Sequence, residues 1–252
     1  MPLYFIGLGL NNEKDITVKG LEAVKKSDLV YLENYTSILN CSKGDLEKFY
    51  GKKIILANRQ MVENENNEII RNSKTKNVNF LVAGDSLAAT THIDLYLRAK
   101  KEGITCFVIH NSSILTAVGV TGLQLYKFGK TTSIPLENEN VETPYDVLKA
   151  NLSLKLHTLF LLDLNPEDEK FMTINDAIRY LMKVELKRNE KIFSEKTLCV
   201  GCTRVGSETQ VIKFGAAKEL LKFDFGKPVH CLIVPGKLHF MEEEALGLYR
   251  EL

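Results

Sequence analysis

The sequence predicts an α/β fold in two domains, with a mostly parallel sheet in the first and a mixed sheet in the second. Three observations carry this. Residues 80–119 read as two consecutive strand, loop and helix units. The amino terminus reads as strand, glycine turn, helix and strand, and the second half repeats the alternation after a polar break.

In order, residues 3–6 are a short apolar strand, and Gly7-Leu8-Gly9-Leu10 lets the backbone turn tightly at its carboxyl end. This is half of a dinucleotide fingerprint, but Asn12 stands where the third glycine would fall, so a Rossmann nicotinamide site is not completed. A helix from about Thr17 puts Val18, Leu21 and Val24 on one face, and residues 29–32 form the next strand. Tyr35-Thr36-Ser37 follows it, in residues equally suited to a plain turn. Residues 58–76 are rich in Asn, Glu and Lys and have only Met61, Val62, Ile69 and Ile70 to bury, which predicts an exposed helix.

Within the central stretch, Phe80, Leu81 and Val82 stop at Gly84-Asp85. Thr90 or Thr91 can cap a helix carrying Ile93, Tyr96, Leu97 and Lys100, which Gly103 ends. Residues 104–109 are a second strand, and His110-Asn111-Ser112-Ser113 is a polar turn opening a helix from about Ile114. Ligands of open parallel sheets collect beyond the carboxyl ends of strands, so Asp85 and Ser113 mark a cleft; a Gly-Asp pair after a strand is as often a plain turn.

Residues 120–128 continue as helix or loop, and 131–134 form a strand that Pro135 ends. The polar run 137–142 sets the domain boundary, giving an amino-terminal domain 1–135 and a carboxyl-terminal domain 136–252. Thr143-Pro144 starts a helix, 158–162 is a strand, and Thr173 caps a helix with Ile174, Ala177, Ile178 and Leu181 inward. Strands at 198–202, 210–214 and 229–234, a short helix at 216–221 and a final helix at 241–250 complete the reading.

A chain of 252 residues, 44% hydrophobic, can bury a sizeable core. Lys+Arg 33 against Asp+Glu 32 leaves a net charge of +1, too neutral for a global field that attracts nucleic acid. No apolar run reaches the roughly 18 residues of a membrane span. The first residues lack a signal peptide's basic flank, so a soluble intracellular protein is expected. Five cysteines argue against a disulfide framework. Cys199 and Cys202 are three apart in a strand, hence on opposite faces, and neither a second cysteine pair nor clustered histidines accompany them; a metal site is not expected.

Several motifs carry a resemblance: YFIGLGL and DITVKGLE at the start, GDSLAATTHIDLYLRAK and VIHNSSILTAVGVTGLQLYKFG in the middle, LHTLFLLDL and PVHCLIVPGKLH in the second half. Together they span nearly the whole chain, and it resembles the diphthine synthases, methyltransferases of the tetrapyrrole-methylase (class III) fold. The resemblance implies a cytoplasmic homodimer that uses S-adenosylmethionine (SAM). It further implies methylation of the aminocarboxypropyl-modified histidine of translation elongation factor 2 during diphthamide biosynthesis, giving diphthine or its methyl ester. Carried over residue by residue, it implies cofactor contacts at Leu10, Asp85, Ala88, Ser113, Ile114, Leu162, Val205 and His230, with the cofactor cleft between the two domains. Where such enzymes usually carry Gly-Asp-Pro, this chain has Gly84-Asp85-Ser86, which frees a backbone dihedral in the loop.

Methyl transfer to an amine needs the nucleophile held in line with the sulfonium methyl; no catalytic residue is singled out, and Asp85, Asp163 or solvent could accept a proton. Arg204 offers a cation beyond a strand end, able to meet a carboxylate or a surface ion pair. One competing reading is a tetrapyrrole or ribosomal-RNA methylase of the same fold, whose Gly-Pro-Gly-Asp is absent at Gly9-Leu10-Asn11-Asn12. The other is a nucleotide-binding module without catalysis.

Overall fold

The computed structural model describes residues 1–64 and 67–250. The chain divides into two compact units, Met1–Leu115 and Thr116–Leu252.

The first unit runs β1 (Pro2–Gly7), α1 (Val18–Lys26), β2 (Leu29–Glu33), α2 (Lys43–Tyr50), β3 (Ile54–Ala57), α3 (Arg59–Glu63), α4 (Glu68–Ser73), β4 (Val78–Val82), α5 (Ile93–Lys101), β5 (Thr105–Ile109) and the start of α6 (Ile114–Ala117). Its five strands are all parallel, in the order β3-β2-β4-β1-β5. Alternation along the strands separates two cores. Leu3, Phe5, Tyr31, Phe80 and Val82 pack with Leu95 and Ala99, whereas Ile6, Leu8, Val30, Leu81 and Ile109 pack with Val24, Leu46 and Tyr50.

Some local expectations are revised. α1 starts where expected, capped by Thr17, but Val18 is 76% exposed and the buried residues are Gly20 and Val24. A Cβ at Gly20 would lie 3.0 Å from Ile6 and from Ile16, so the helix approaches the sheet at its glycine. In α5 neither threonine caps; His92 takes that position with its ring buried. His92, Leu95 and Ala99 then form the inward stripe at i, i+3 and i+7, turning Ile93 and Leu97 out to solvent. The single helix expected over 58–76 is two short ones, α3 and α4, with Val62, Ile69 and Ile70 buried; Glu65 and Asn66 lie outside the described residues. In the first unit, β3 has no counterpart in the sequence reading, nor has α2 with its Ser42/Asp45 capping box and left-handed Gly51.

The second unit runs through β6 (Thr132–Ile134), α7 (Thr143–Ser153), β7 (Thr158–Leu162), β8 (Leu164–Asn165), β9 (Lys170–Phe171), α8 (Ile174–Arg188), β10 (Leu198–Thr203), β11 (Val211–Ala216), α9 (Ala217–Leu220), β12 (His230–Val234) and α10 (Phe240–Gly247). Its larger sheet has the order β11-β10-β12-β7-β6 and is antiparallel except where β6 meets β7. β6 lies on the amino-terminal side of the expected 135/136 boundary, yet it pairs with β7; the compact units meet earlier, at 115/116. Glu142, not Thr143, occupies the cap position of α7. Thr173 caps α8 through a reciprocal box with Asp176, and the inward residues are those expected, joined by Tyr180 and Val184. All five cysteines are free thiols; Cys202 sits directly across from Cys231, a pairing that sequence spacing alone does not disclose.

A buried ionic clasp holds α10. Glu242 is fully buried, accepts the amides of Gln124 (2.9 Å) and His239 (2.8 Å), and pairs with Lys127 and with His157 Nε2 (3.0 Å). The Gly236 amide donates to His157 Nδ1 at 3.0 Å, so the ring is the neutral tautomer with its proton on Nε2, facing the carboxylate. Burial would raise the Glu242 pKa, but Lys127 and the amides outweigh it and hold the group down at about 2.

Candidate functional site

The carboxyl ends of the central strands of the first sheet are laced together. Beyond β1 and β4, Gly9 and Gly84 exchange backbone hydrogen bonds, 3.1 Å from Gly9 N to Gly84 O and 2.6 Å in the other direction. Both have positive φ, and a Cβ at neighbouring Gly7 would lie 2.6 Å from the Gly84 carbonyl oxygen, so only glycine permits this approach. Asp15 Oδ2 accepts the amides of Leu10 (3.2 Å) and Asn11 (2.8 Å), which fixes the loop after β1. Asn111, after β5, donates Nδ2 to the carbonyls of Gly7 (3.0 Å) and Asp15 (2.9 Å).

Asp85 is the hub. Its Oδ1 accepts the Leu87 amide (3.0 Å); its Oδ2 accepts the Asn111 amide (3.1 Å) and His110 Nδ1 (2.8 Å). Burial pushes its pKa up, but these donors outweigh it and hold the carboxyl below the usual range. An ionised carboxylate offers about four acceptor positions, so one remains for a ligand donor. Ala88 sits part-exposed in the same loop, its amide 3.3 Å from the Asp85 carbonyl. Ser113 is buried, its Oγ accepting the Leu115 amide at 3.2 Å, and Ile114 opens α6. The structure thus brings Leu10, Asp85, Ala88, Ser113 and Ile114 to one edge of one sheet.

The second unit holds the other three expected contacts. Leu162 ends β7 inside the core, and Val205 is 7% exposed. His230 begins β12 opposite Thr203; its Nδ1 accepts the Ile174 amide at 3.4 Å and its Nε2 donates to the Lys227 carbonyl at 3.0 Å. Burial lowers its pKa, so the ring is neutral. It lines a cavity of about 350 Å³ with Thr173, Arg179, Phe223, Phe225 and Gly226. Arg204 does not present its charge to a carboxylate: the guanidinium donates to the carbonyls of Thr209, Phe225 and Lys227, clamping two loops beside His230. Asp163 accepts the amides of Leu136 (3.1 Å) and Leu164 (2.9 Å), a turn-closing role.

Sequence reasoning did not single out Glu33 or His92. Glu33, at the carboxyl end of β2, is 2% exposed and accepts the amides of Tyr35 (2.7 Å) and Thr36 through Oε1. Burial raises its pKa, only partly offset by those amides, the Thr36 hydroxyl and the Arg59 charge. His92 Nδ1 lies 3.3 Å from the Ser86 carbonyl, which Thr90 Oγ1 also reaches at 3.1 Å. These bonds tie the loop that holds Ser86. Burial lowers the His92 pKa to about 4. A glutamate immediately after an apolar strand, with no basic neighbour in sequence, was the available signal for Glu33.

The sequence from residue 2 to 221 matches the family of tetrapyrrole (corrin/porphyrin) methylases. A diphthine synthase of Methanococcus maripaludis is 48% identical over 97% of both chains, and a diphthine methyl ester synthase of Dictyostelium discoideum is 45% identical over 99% of this chain and 98% of its own. A solved diphthine synthase superposes with a TM-score of 0.91 at 41% identity, covering 99% of this chain and 96% of its own. The chain belongs to the diphthine synthase family. It is a methyltransferase with the two-sheet tetrapyrrole-methylase architecture, and neither a porphyrin or ribosomal-RNA methylase nor a module without catalysis is favoured. Among the described residues no helix is long and apolar enough to cross a membrane, and no group of three or more His, Cys, Asp or Glu could hold a metal ion.

Proposed function

We propose that the chain binds SAM and methylates the amine of the aminocarboxypropyl-modified histidine of elongation factor 2, as a cytoplasmic homodimer in diphthamide biosynthesis. The observation that carries this is the laced edge of the first sheet: a depressed, nearly saturated carboxylate at Asp85 beside loops that expose backbone groups. The residues fit the cofactor. At Gly84 a Cβ would meet only the Ser112 carbonyl oxygen, at 3.8 Å, so a ligand can approach the bare backbone there. Leu10, Asp85, Ala88, Ser113 and Ile114 would hold it in the first unit, and Leu162, Val205 and His230 in the second. Bound SAM supplies an electrophilic methyl group on a sulfonium. The chain's contribution is to order its loops, keep Asp85 ionised and His230 neutral, and hold an amine in line.

Labelled SAM should mark elongation factor 2 that carries the aminocarboxypropyl group and leave the same factor unmarked when its histidine is unmodified. Labelling of bulk RNA or a porphyrin precursor instead, with none on the modified factor, would overturn this reading. Light scattering at micromolar concentration should return a dimer mass.

A further inference from the structure

Four polar atoms, beyond the ends of β2 and β4 and at the start of α5, are buried without a hydrogen-bond partner among the described residues: Glu33 Oε2, Tyr35 Oη, Ser86 Oγ and His92 Nε2. They belong to connected groups. Glu33 holds the Tyr35 amide, the Tyr35 and His92 rings meet edge to face at 6.0 Å, and His92 Nδ1 contacts the carbonyl of Ser86 itself. Thr91 lies near enough to Tyr35 Oη to influence its acidity, without a hydrogen bond of normal geometry. The β2/β4 pairing sets Leu32 level with Leu81, so Glu33 stands at the same sheet edge as Asp85, and Ser86 is the next residue.

The chemistry of these atoms selects a ligand class. The Ser86 carbonyl can only accept, so His92 carries its proton on Nδ1 and turns a lone pair outward from Nε2. Glu33 Oε2 is a second acceptor, and two hydroxyl oxygens can accept as well. An anion would confront a carboxylate and a lone pair, and an apolar group would leave all four atoms unpaired. A primary ammonium brings three N–H donors and a positive charge.

We propose that Glu33, Tyr35, Ser86 and His92 form a chamber for a primary ammonium group, which, on the reading above, is the amine to be methylated once it has passed one proton to Glu33 Oε2, freeing the nitrogen lone pair that attacks the methyl carbon as the sulfur–carbon bond breaks. Ala89 and Thr91 of the loop 86–92 lie at the surface. Each methyl added to the nitrogen removes one N–H donor, so the chamber favours the unmethylated amine over the fully methylated product.

Glu33→Gln tests this without dismantling the loop: its amide oxygen still accepts from Tyr35 and Thr36, while an NH2 replaces the free carboxylate oxygen. In nitrogen-labelled protein, methylammonium chloride should shift the His92 Nε2 resonance. Tetramethylammonium chloride, equal in charge but without N–H donors, should do so far more weakly, and Glu33→Gln should abolish the response. Ser86→Ala, which keeps the Ser86 carbonyl, should weaken it. In turnover, Glu33→Gln should raise KM for the modified factor about tenfold or more, as expected for losing a hydrogen bond to a charge, with SAM affinity unchanged. Equal response to both cations, or no response to either, would overturn the proposal, as would an unchanged KM in Glu33→Gln. Wild-type protein that shows the methylammonium response yet fails to methylate the factor would refute the elongation-factor reading and leave the ammonium chamber standing.

Discussion

Two buried glutamates divide the molecule by what surrounds them. Glu242, in the clasp of the second unit, has each oxygen engaged by an amide and a side-chain donor, and its pKa is held at about 2. Glu33, at the edge of the first sheet, has one oxygen engaged and one bare, and its pKa is raised by burial. Burial depth is nearly the same, so the difference lies in the partners. A saturated carboxylate is structural material. An unsaturated one is destabilising as it stands and is retained where a ligand completes it. Asp85 falls between them, with three donors and one open position.

The largest effect should come from breaking the saturated site. Glu242→Ala strands Lys127 and His157 and removes the acceptor of two amides; equilibrium denaturation should show a loss of roughly 3–5 kcal/mol, the scale for removing one partner of a buried pair. A loss below about 1 kcal/mol, the scale of a surface pair, would erase the distinction between the two glutamates. Acid sharpens the same point. Because the folded pKa of Glu242 lies below its unfolded value near 4.3, its contribution is present above that value and fades as pH falls towards 2. Denaturation curves of wild type and Glu242→Ala should therefore converge over that interval.

Next in size is the intermediate case. Asp85→Ala should weaken SAM binding by roughly 1.5–3 kcal/mol, the scale of a hydrogen bond to a charged group, read by calorimetry in a folded variant. Unchanged affinity would place Asp85 with the structural carboxylates. The smallest effect has the opposite sign. The folded pKa of Glu33 is raised, so the folded state binds more protons than the unfolded one between the two values, and stability falls as pH rises through that window. Glu33→Gln should then leave the protein as stable as wild type or up to about 1 kcal/mol more stable at neutral pH, by thermal melting. A clear destabilisation would return Glu33 to the structural class.

Much of this was legible in the sequence. The glycine turn at residues 7–10, the Gly84-Asp85 strand end and the Thr173 cap are local signals, and each lies where local chemistry puts it. What failed to show was long-range. That α5 turns Leu95 and Ala99 inward depends on the His92 ring, and β6 joins the second sheet only because β7 is there to accept it. Arg204 looked like a free cation because its partners, the carbonyls of Thr209, Phe225 and Lys227, are backbone atoms that composition cannot reveal. The chamber at Glu33 unites residues from two separated segments, so no single motif could announce it.

The strand order of the first sheet also dictates when its edge can exist. β1 has neighbours only in β4 and β5, and the Gly9–Gly84 exchange closes a loop reaching from the first turn to the far side of β4. A growing chain that has produced β1, α1 and β2 holds an unpaired apolar strand and none of the lacing, because local hairpins are not available to it. The first strand made must wait for residues beyond 78 before it is sheltered. Chaperone demand during synthesis should therefore fall sharply once β4 has emerged, and the Gly9–Gly84 lacing forms in the same event, ahead of the Asn111 bonds that follow β5.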